Sequence, residues 1–211
     1  MHATFSLEHL KEQLEKVRPT ALFITHGDSS TGTVQELRGL GDLCHKYGTL
    51  LLVDTVVSLA AVPFFMDEWG IDGVYTGTQK ALSGPAGITP VAFSARAQEK
   101  LKSRTYQTPY YYDVNLLINQ WNCFGVKGYH HTLSAPLIWA LRACIKEVCN
   151  ETLPKSWARH AETTAYFHKK LQEHSFQFMV PNPEDRLVTV TTLVLPRGYD
   201  YYEFVKTMRA R

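Results

Sequence analysis

Three polar residues stand just after three short apolar runs: Ser29 beyond Ala21-Leu22-Phe23-Ile24-Thr25, Asp54 closing Leu50-Leu51-Leu52-Val53, and Lys80 beyond Gly73-Val74-Tyr75. A lysine amine condenses with an aldehyde, a carboxylate keeps a basic ring nitrogen protonated, and hydroxyl and N–H groups donate to phosphate. Lys80 ends the run Thr76-Gly77-Thr78-Gln79-Lys80. Thr78 and Gln79 supply side-chain and backbone donors, and Gly77 permits close approach and unusual backbone angles. Taken singly, each residue is weak evidence, because an Asp ending a strand is commonly a cap and a lone Lys is commonly solvated. Together they are what a ligand bearing an aldehyde, a ring nitrogen and a phosphate needs, a description that fits pyridoxal phosphate.

The elements that must position these groups read as α/β. Ser6 caps a helix carrying Leu7, Leu10, Leu14 and Val17, which Pro19 ends. A strand over residues 21–25, a polar turn over 26–32 and a helix running from that turn to near Gly48 follow. The N-terminal dipole of that helix would add to a nearby anion site. Residues 50–53 read as a strand covered on both faces, and 73–75 and 91–93 as two more. Alternation of this kind predicts a mostly parallel sheet flanked by helices, in which ligands bind beyond the C-terminal strand ends. Residues 105–132 are aromatic and irregular, 136–149 and 157–173 helical, and 187–195 strand-like. A boundary near Asn150 divides a large domain, 1–150, from the start of a smaller α+β domain, 151–211.

Composition excludes several classes. With 45% hydrophobic and 20% charged residues and a formal charge of +2, the chain is globular, with no broad reason to bind nucleic acid or an anionic membrane. Its longest apolar run is interrupted by Asp54 and is too short to span a bilayer. Cys44, Cys123, Cys144 and Cys149 form no CxxC pair and read as packing residues; no metal site or disulfide framework is expected, and a reducing or peroxisome-like compartment is the default. His130-His131 reads as a structural pair whose rings point to opposite sides of an extended segment. Tyr110-Tyr111-Tyr112 lacks basic interleaving and reads as interface or core packing. The 27–31 turn lacks the closing glycine of a nucleophile elbow and the Gly-Lys-Ser/Thr ending of a Walker A loop. Neither terminus carries a recognisable signal peptide or peroxisomal tripeptide.

The ordered blocks His26-Gly27-Asp28-Ser29-Ser30-Thr31-Gly32, Leu51-Leu52-Val53-Asp54 and Thr76-Gly77-Thr78-Gln79-Lys80-Ala81-Leu82 resemble the alanine-glyoxylate (serine-pyruvate) aminotransferases of class V, fold type I. The similarity runs on through Tyr129-His130-His131-Thr132 to Pro196-Arg197-Gly198-Tyr199-Asp200. A cysteine desulfurase, a fold relative, carries His before its lysine, where Gln79 stands here. The resemblance implies a PLP-binding large domain in which Lys80 forms a Schiff base with pyridoxal phosphate and then moves a proton from the substrate Cα. Asp54 would pair with the ring nitrogen, Val56 pack on the ring, Ser29 touch its polar edge and Gln79 meet the phosphate. Tyr129 and Thr132 would reach the phosphate in the neighbouring subunit of a homodimer.

Small amino and keto acids are the implied substrates: alanine or serine with glyoxylate or pyruvate, in glyoxylate detoxification, or else 3-hydroxykynurenine. The implied compartment is the peroxisome, otherwise mitochondrion or cytoplasm. In the resembled family a glycine-containing phosphate loop and a stacking aromatic precede the segment matching residue 1, and a substrate-carboxylate arginine follows the segment matching residue 211. The chain is therefore expected to be a fragment with bare sheet edges and apolar faces: either part of a transaminase, or a short inactive form that interacts with other subunits.

Overall fold

The structure, a computed structural model, describes residues 4–122, 125 and 127–210. In chain order the elements are α1 (Leu7–Val17), β1 (Ala21–Thr25), β2 (Gly27–Asp28), β3 (Thr33–Val34), α2 (Leu40–Lys46), β4 (Leu50–Asp54), β5 (Gly73–Tyr75), β6 (Val91–Phe93), α3 (Ala95–Lys102), α4 (Val114–Gln120), α5 (Ala135–Glu151), α6 (Leu153–Glu173), β7 (Gln177–Phe178), β8 (Leu193–Val194) and α7 (Tyr201–Arg209). The main sheet has the order β1-β4-β5-β6, with β1, β4 and β5 parallel and β6 antiparallel to β5.

Local chemistry sets the first elements. Ser6 accepts the His9 N–H at 3.2 Å, and Arg18, left-handed at φ 46°, returns its N–H to the Leu14 carbonyl before Pro19. Leu10 and Leu14 face inward and join Ile24, Leu37, Leu40, Cys44, Leu51, Val53 and Ile71 in one core between α1, α2 and the sheet. Asp72 fastens that core from beneath. Its buried carboxylate accepts from the Leu51 N–H, Ser94 Oγ and Arg96, all within 2.9 Å, and also meets His45 at 3.1 Å.

The elements and their packing depart from the sequence reading at several places. β4 alternates between buried and half-buried residues rather than being covered on both faces, because the helices pack on the Leu51 and Val53 side. The other side leaves Phe23 at 55% and Val91 at 58% exposure. No helix leaves the 26–32 turn. Asp28 there accepts from the Ser30 N–H at 2.8 Å and the Thr31 hydroxyl at 2.7 Å, and Gly32, at φ 75°, reverses the chain into the β2–β3 hairpin. The next helix is α2, starting at Leu40, so its dipole does not sit at Ser29.

Within residues 105–132, Asp113 caps the two-turn helix α4 by accepting the Asn115 N–H at 3.0 Å. Residues 187–195 contribute only the two-residue strand β8. The preceding residues instead lie along the β2–β3 hairpin and the segment after β4: Leu187 N–H donates to the Gly32 carbonyl, the Thr192 hydroxyl to Thr31 and the Thr189 hydroxyl to Val57. Gly27 allows this contact, since a Cβ there would stand 2.9 Å from Val57 and 3.0 Å from Leu187. The His130 and His131 rings meet at 2.8 Å through their Nδ1 atoms instead of diverging, because both backbone N–H groups converge on Gln120 Oε1. α5 and α6 join at Thr152, at φ 74°, two residues past Asn150.

Candidate active site

Parallel pairing brings the strand ends of β1, β4 and β5 to one edge of the sheet. Asp54 is the last residue of β4, and its two carboxylate oxygens have separate donors: Oδ1 accepts the Val56 N–H at 2.8 Å and Oδ2 accepts the Tyr75 hydroxyl. Burial, then the bond to Asp54 and its charge, push the Tyr75 phenol up to about 12. Beneath, His26 donates its backbone N–H to the Asp54 carbonyl at 2.9 Å, and its buried ring shares a hydrogen bond with Ser58 at 2.9 Å.

Burial lowers the His26 imidazole from 6.5 to about 4 against an opposing pull from Glu36. Between those two values the unfolded chain binds the proton and the folded chain does not, so stability rises with pH across that window. Acidification from pH 7 to 4 is expected to remove about 3 kcal/mol of folding free energy through this residue. Urea unfolding of wild type and His26→Gln at both pH values checks this: the variant should lose markedly less on acidification.

Lys80 sits on a tight loop after β5. Thr78 is fully buried and donates its hydroxyl to the Pro85 carbonyl, Gly84 N–H returns to Thr78 at 2.7 Å, and Ser83 N–H closes on the Lys80 carbonyl at 2.9 Å. The Thr78 hydroxyl is thereby committed to the loop rather than offered to a phosphate. Gly77 does not have a positive φ; its lack of a side chain makes room for the Gln79 amide, whose Oε1 would be 2.6 Å from a Cβ. Gln79 and Lys80 are exposed, and the Lys80 amine has no partner among the described residues. Ala81 N–H donates to the half-buried Val56 at 3.3 Å, so the Lys80 loop is stitched directly to the residues following Asp54.

Lys80 and Ser29 line the same cleft of about 440 Å³. Its far wall is α6 with the turn around Thr189, and it brings in Arg159 and His160, which the sequence reading passed over. Arg159 is paired bidentately with Glu151 at 2.5 and 2.8 Å, and His160 Nδ1 meets the Ser156 carbonyl at 2.8 Å. Only the fold joins these residues to Lys80, some eighty positions away; no local signal marks them. Asp54, Val56 and Gln79 do not line this cleft, and neither do Tyr129 and Thr132. Both are exposed, Tyr129 at 76%, and they bond to one another at 2.6 Å. Tyr110, Tyr111 and Tyr112 are exposed rather than core residues, with Tyr110 stacked on His130.

Among the described residues no group of His, Cys, Asp or Glu is arranged to hold a metal ion, and no helix is long and apolar enough to cross a membrane. Cys44 packs in the core and Cys149 is exposed rather than packed; Cys123 lies outside the described residues.

Residues 2–211 match the family model for aminotransferase class-V. The chain is 43% identical over 203 residues to an alanine–glyoxylate aminotransferase of Rattus norvegicus, covering 95% of this chain and 49% of the relative. It is 42% identical over 199 residues to one of Drosophila melanogaster, covering 93% and 50%. A solved alanine–glyoxylate aminotransferase from Nostoc sp. superposes with a TM-score of 0.93 at 39% identity, over 98% of this chain and 54% of that one. The chain thus spans about half the length of the curated relatives it matches.

Proposed function

Because this chain belongs to the class-V aminotransferase family, we propose that it carries the cofactor-holding part of a pyridoxal-phosphate transaminase that moves an amino group between alanine, or serine, and glyoxylate, or pyruvate. The observation that carries the reading is the seam between β4 and the Lys80 loop, where a free amine and an oriented carboxylate are held on segments bonded to one another. This donor set fits the cofactor's three functional groups. The amine suits its aldehyde, the carboxylate its ring nitrogen, and Ser29 and Gln79 its polar and phosphate edges. The rat and fly relatives are named for alanine and glyoxylate, which selects those substrates first.

When bound, pyridoxal phosphate supplies a ring that takes up the electron pair left as the substrate Cα loses its proton. Asp54 holds the proton on the ring nitrogen, and Val56 packs against the ring. Lys80 anchors the ligand through its amine and, once released, carries the proton away from the substrate Cα. Its exposure on a rigid loop leaves Nζ free to swing between those two tasks. Tyr129 and Thr132, exposed and already bonded to each other, reach the phosphate held by a second copy in a homodimer.

The test is the reaction itself. A protein carrying this chain at the full length of its relatives, supplied with pyridoxal phosphate, alanine and glyoxylate, should produce pyruvate and glycine. Absence of pyruvate with alanine and of hydroxypyruvate with serine would refute the assignment.

A further inference from the structure

Asp54 and Tyr75 are cross-strand partners in the parallel β4–β5 pair, twenty-one positions apart in the chain. The Tyr75 ring is stacked on Phe23 of β1 at 6.1 Å and 11°, which fixes where its hydroxyl points. Each Asp54 oxygen already has one protein donor, the Val56 N–H on one and the Tyr75 hydroxyl on the other. A carboxylate oxygen accepts two hydrogen bonds, so one site on each oxygen stays open while the carboxylate plane is fixed.

We infer that Tyr75 is a positioning residue for the ring-nitrogen contact, holding the Asp54 carboxylate so that its open lone pair meets the N–H of a pyridinium. The inference rests on the reading of Asp54 given above. Tyr75 suits this task because a phenol is a neutral donor. An arginine or lysine in its place would orient the carboxylate equally well but would cancel the negative charge on which the ring nitrogen depends. The phenol keeps its proton throughout the neutral range, being pushed up to about 12, so it remains a donor wherever the enzyme would work. Among the described residues, both donors to the Asp54 carboxylate are neutral.

Tyr75→Phe keeps the ring and the Phe23 stack and removes one hydroxyl. Binding is measured by tryptophan fluorescence for two ligands: pyridoxal phosphate, and its analogue with C–H in place of the ring nitrogen. The expected result is about tenfold weaker binding of pyridoxal phosphate and unchanged binding of the analogue. Equal losses for both ligands, or no loss for either, would overturn the inference while leaving the cofactor assignment standing. Failure of the wild-type chain to bind pyridoxal phosphate would defeat both.

A second measurement needs no cofactor and no folded Tyr75→Phe variant. In carbon-13 NMR of tyrosine-labelled chain, Asp54→Asn should bring the Tyr75 ionisation down from about 12. A midpoint that stays at its wild-type position would show that the phenol does not answer to Asp54, and would overturn the inference.

Discussion

Lys80→Ala is expected to abolish amino-group transfer, lowering kcat by at least about 10³-fold while leaving the fold intact. The first half of the expectation follows from the absence of a substitute. Among the residues lining the cleft with Ser29, the other cation is Arg159, which is engaged by Glu151 and has no nucleophilic amine. The second half follows from exposure. The Lys80 side chain is exposed and its amine is unpaired among the described residues, whereas the loop is held by the backbone and by Thr78. Unfolding free energy should therefore change by less than about 0.5 kcal/mol. Lys80→Arg gives the sharper comparison. It keeps the charge and most of the length, so retained activity in that variant would mean the cleft needs a cation there and not an amine.

Asp54→Asn is expected to produce the second largest loss, about 10²- to 10³-fold in kcat, with weaker retention of pyridoxal phosphate. The amide is isosteric and its oxygen can still accept from the Val56 N–H or the Tyr75 hydroxyl, so the strand end should keep its shape. What would disappear, on the proposed role of Asp54, is the negative charge that would keep the ring nitrogen protonated, and with it the electron sink. The signature is a fall in kcat with melting temperature nearly unchanged. A variant that keeps most of its activity would remove Asp54 from the chemistry and leave it as a cap for the loop beyond β4.

Much of this arrangement is legible without coordinates because it is local. The Ser6 cap, the Leu10 and Leu14 spacing, the apolar runs of β1 and β4, and Thr76-Gly77-Thr78-Gln79-Lys80 each announce themselves within a few residues. The misreadings have physical causes of the same scale. A single Asp28 side chain captured Ser30 and Thr31 and turned the chain into a hairpin, where a helix was expected to follow the turn directly. One glutamine oxygen drew two consecutive N–H groups toward itself and brought the His130 and His131 rings together edge-on through their Nδ1 atoms. The Thr78 hydroxyl, an evident phosphate donor on paper, found a carbonyl seven residues away.

What no short window carries is pairing. The direction of β6 against β5, the Tyr75 hydroxyl on Asp54, and the α6 wall of the cleft all depend on which distant segments meet. The bare side of the sheet, with Phe23 and Val91 exposed, likewise reflects what packs against β4 and not the composition of β4 itself. A run of four apolar residues looks the same whether one face or two are covered.

Whether Lys80 is the amine that takes the cofactor can be read directly by covalent trapping. The chain is incubated with pyridoxal phosphate, reduced with borohydride, digested, and its peptides mapped by mass. A phosphopyridoxyl group is expected on the peptide containing Lys80, at a stoichiometry near one per chain and absent from Lys80→Ala. Label scattered over surface lysines, or a chain left unmodified at Lys80, would contradict that assignment.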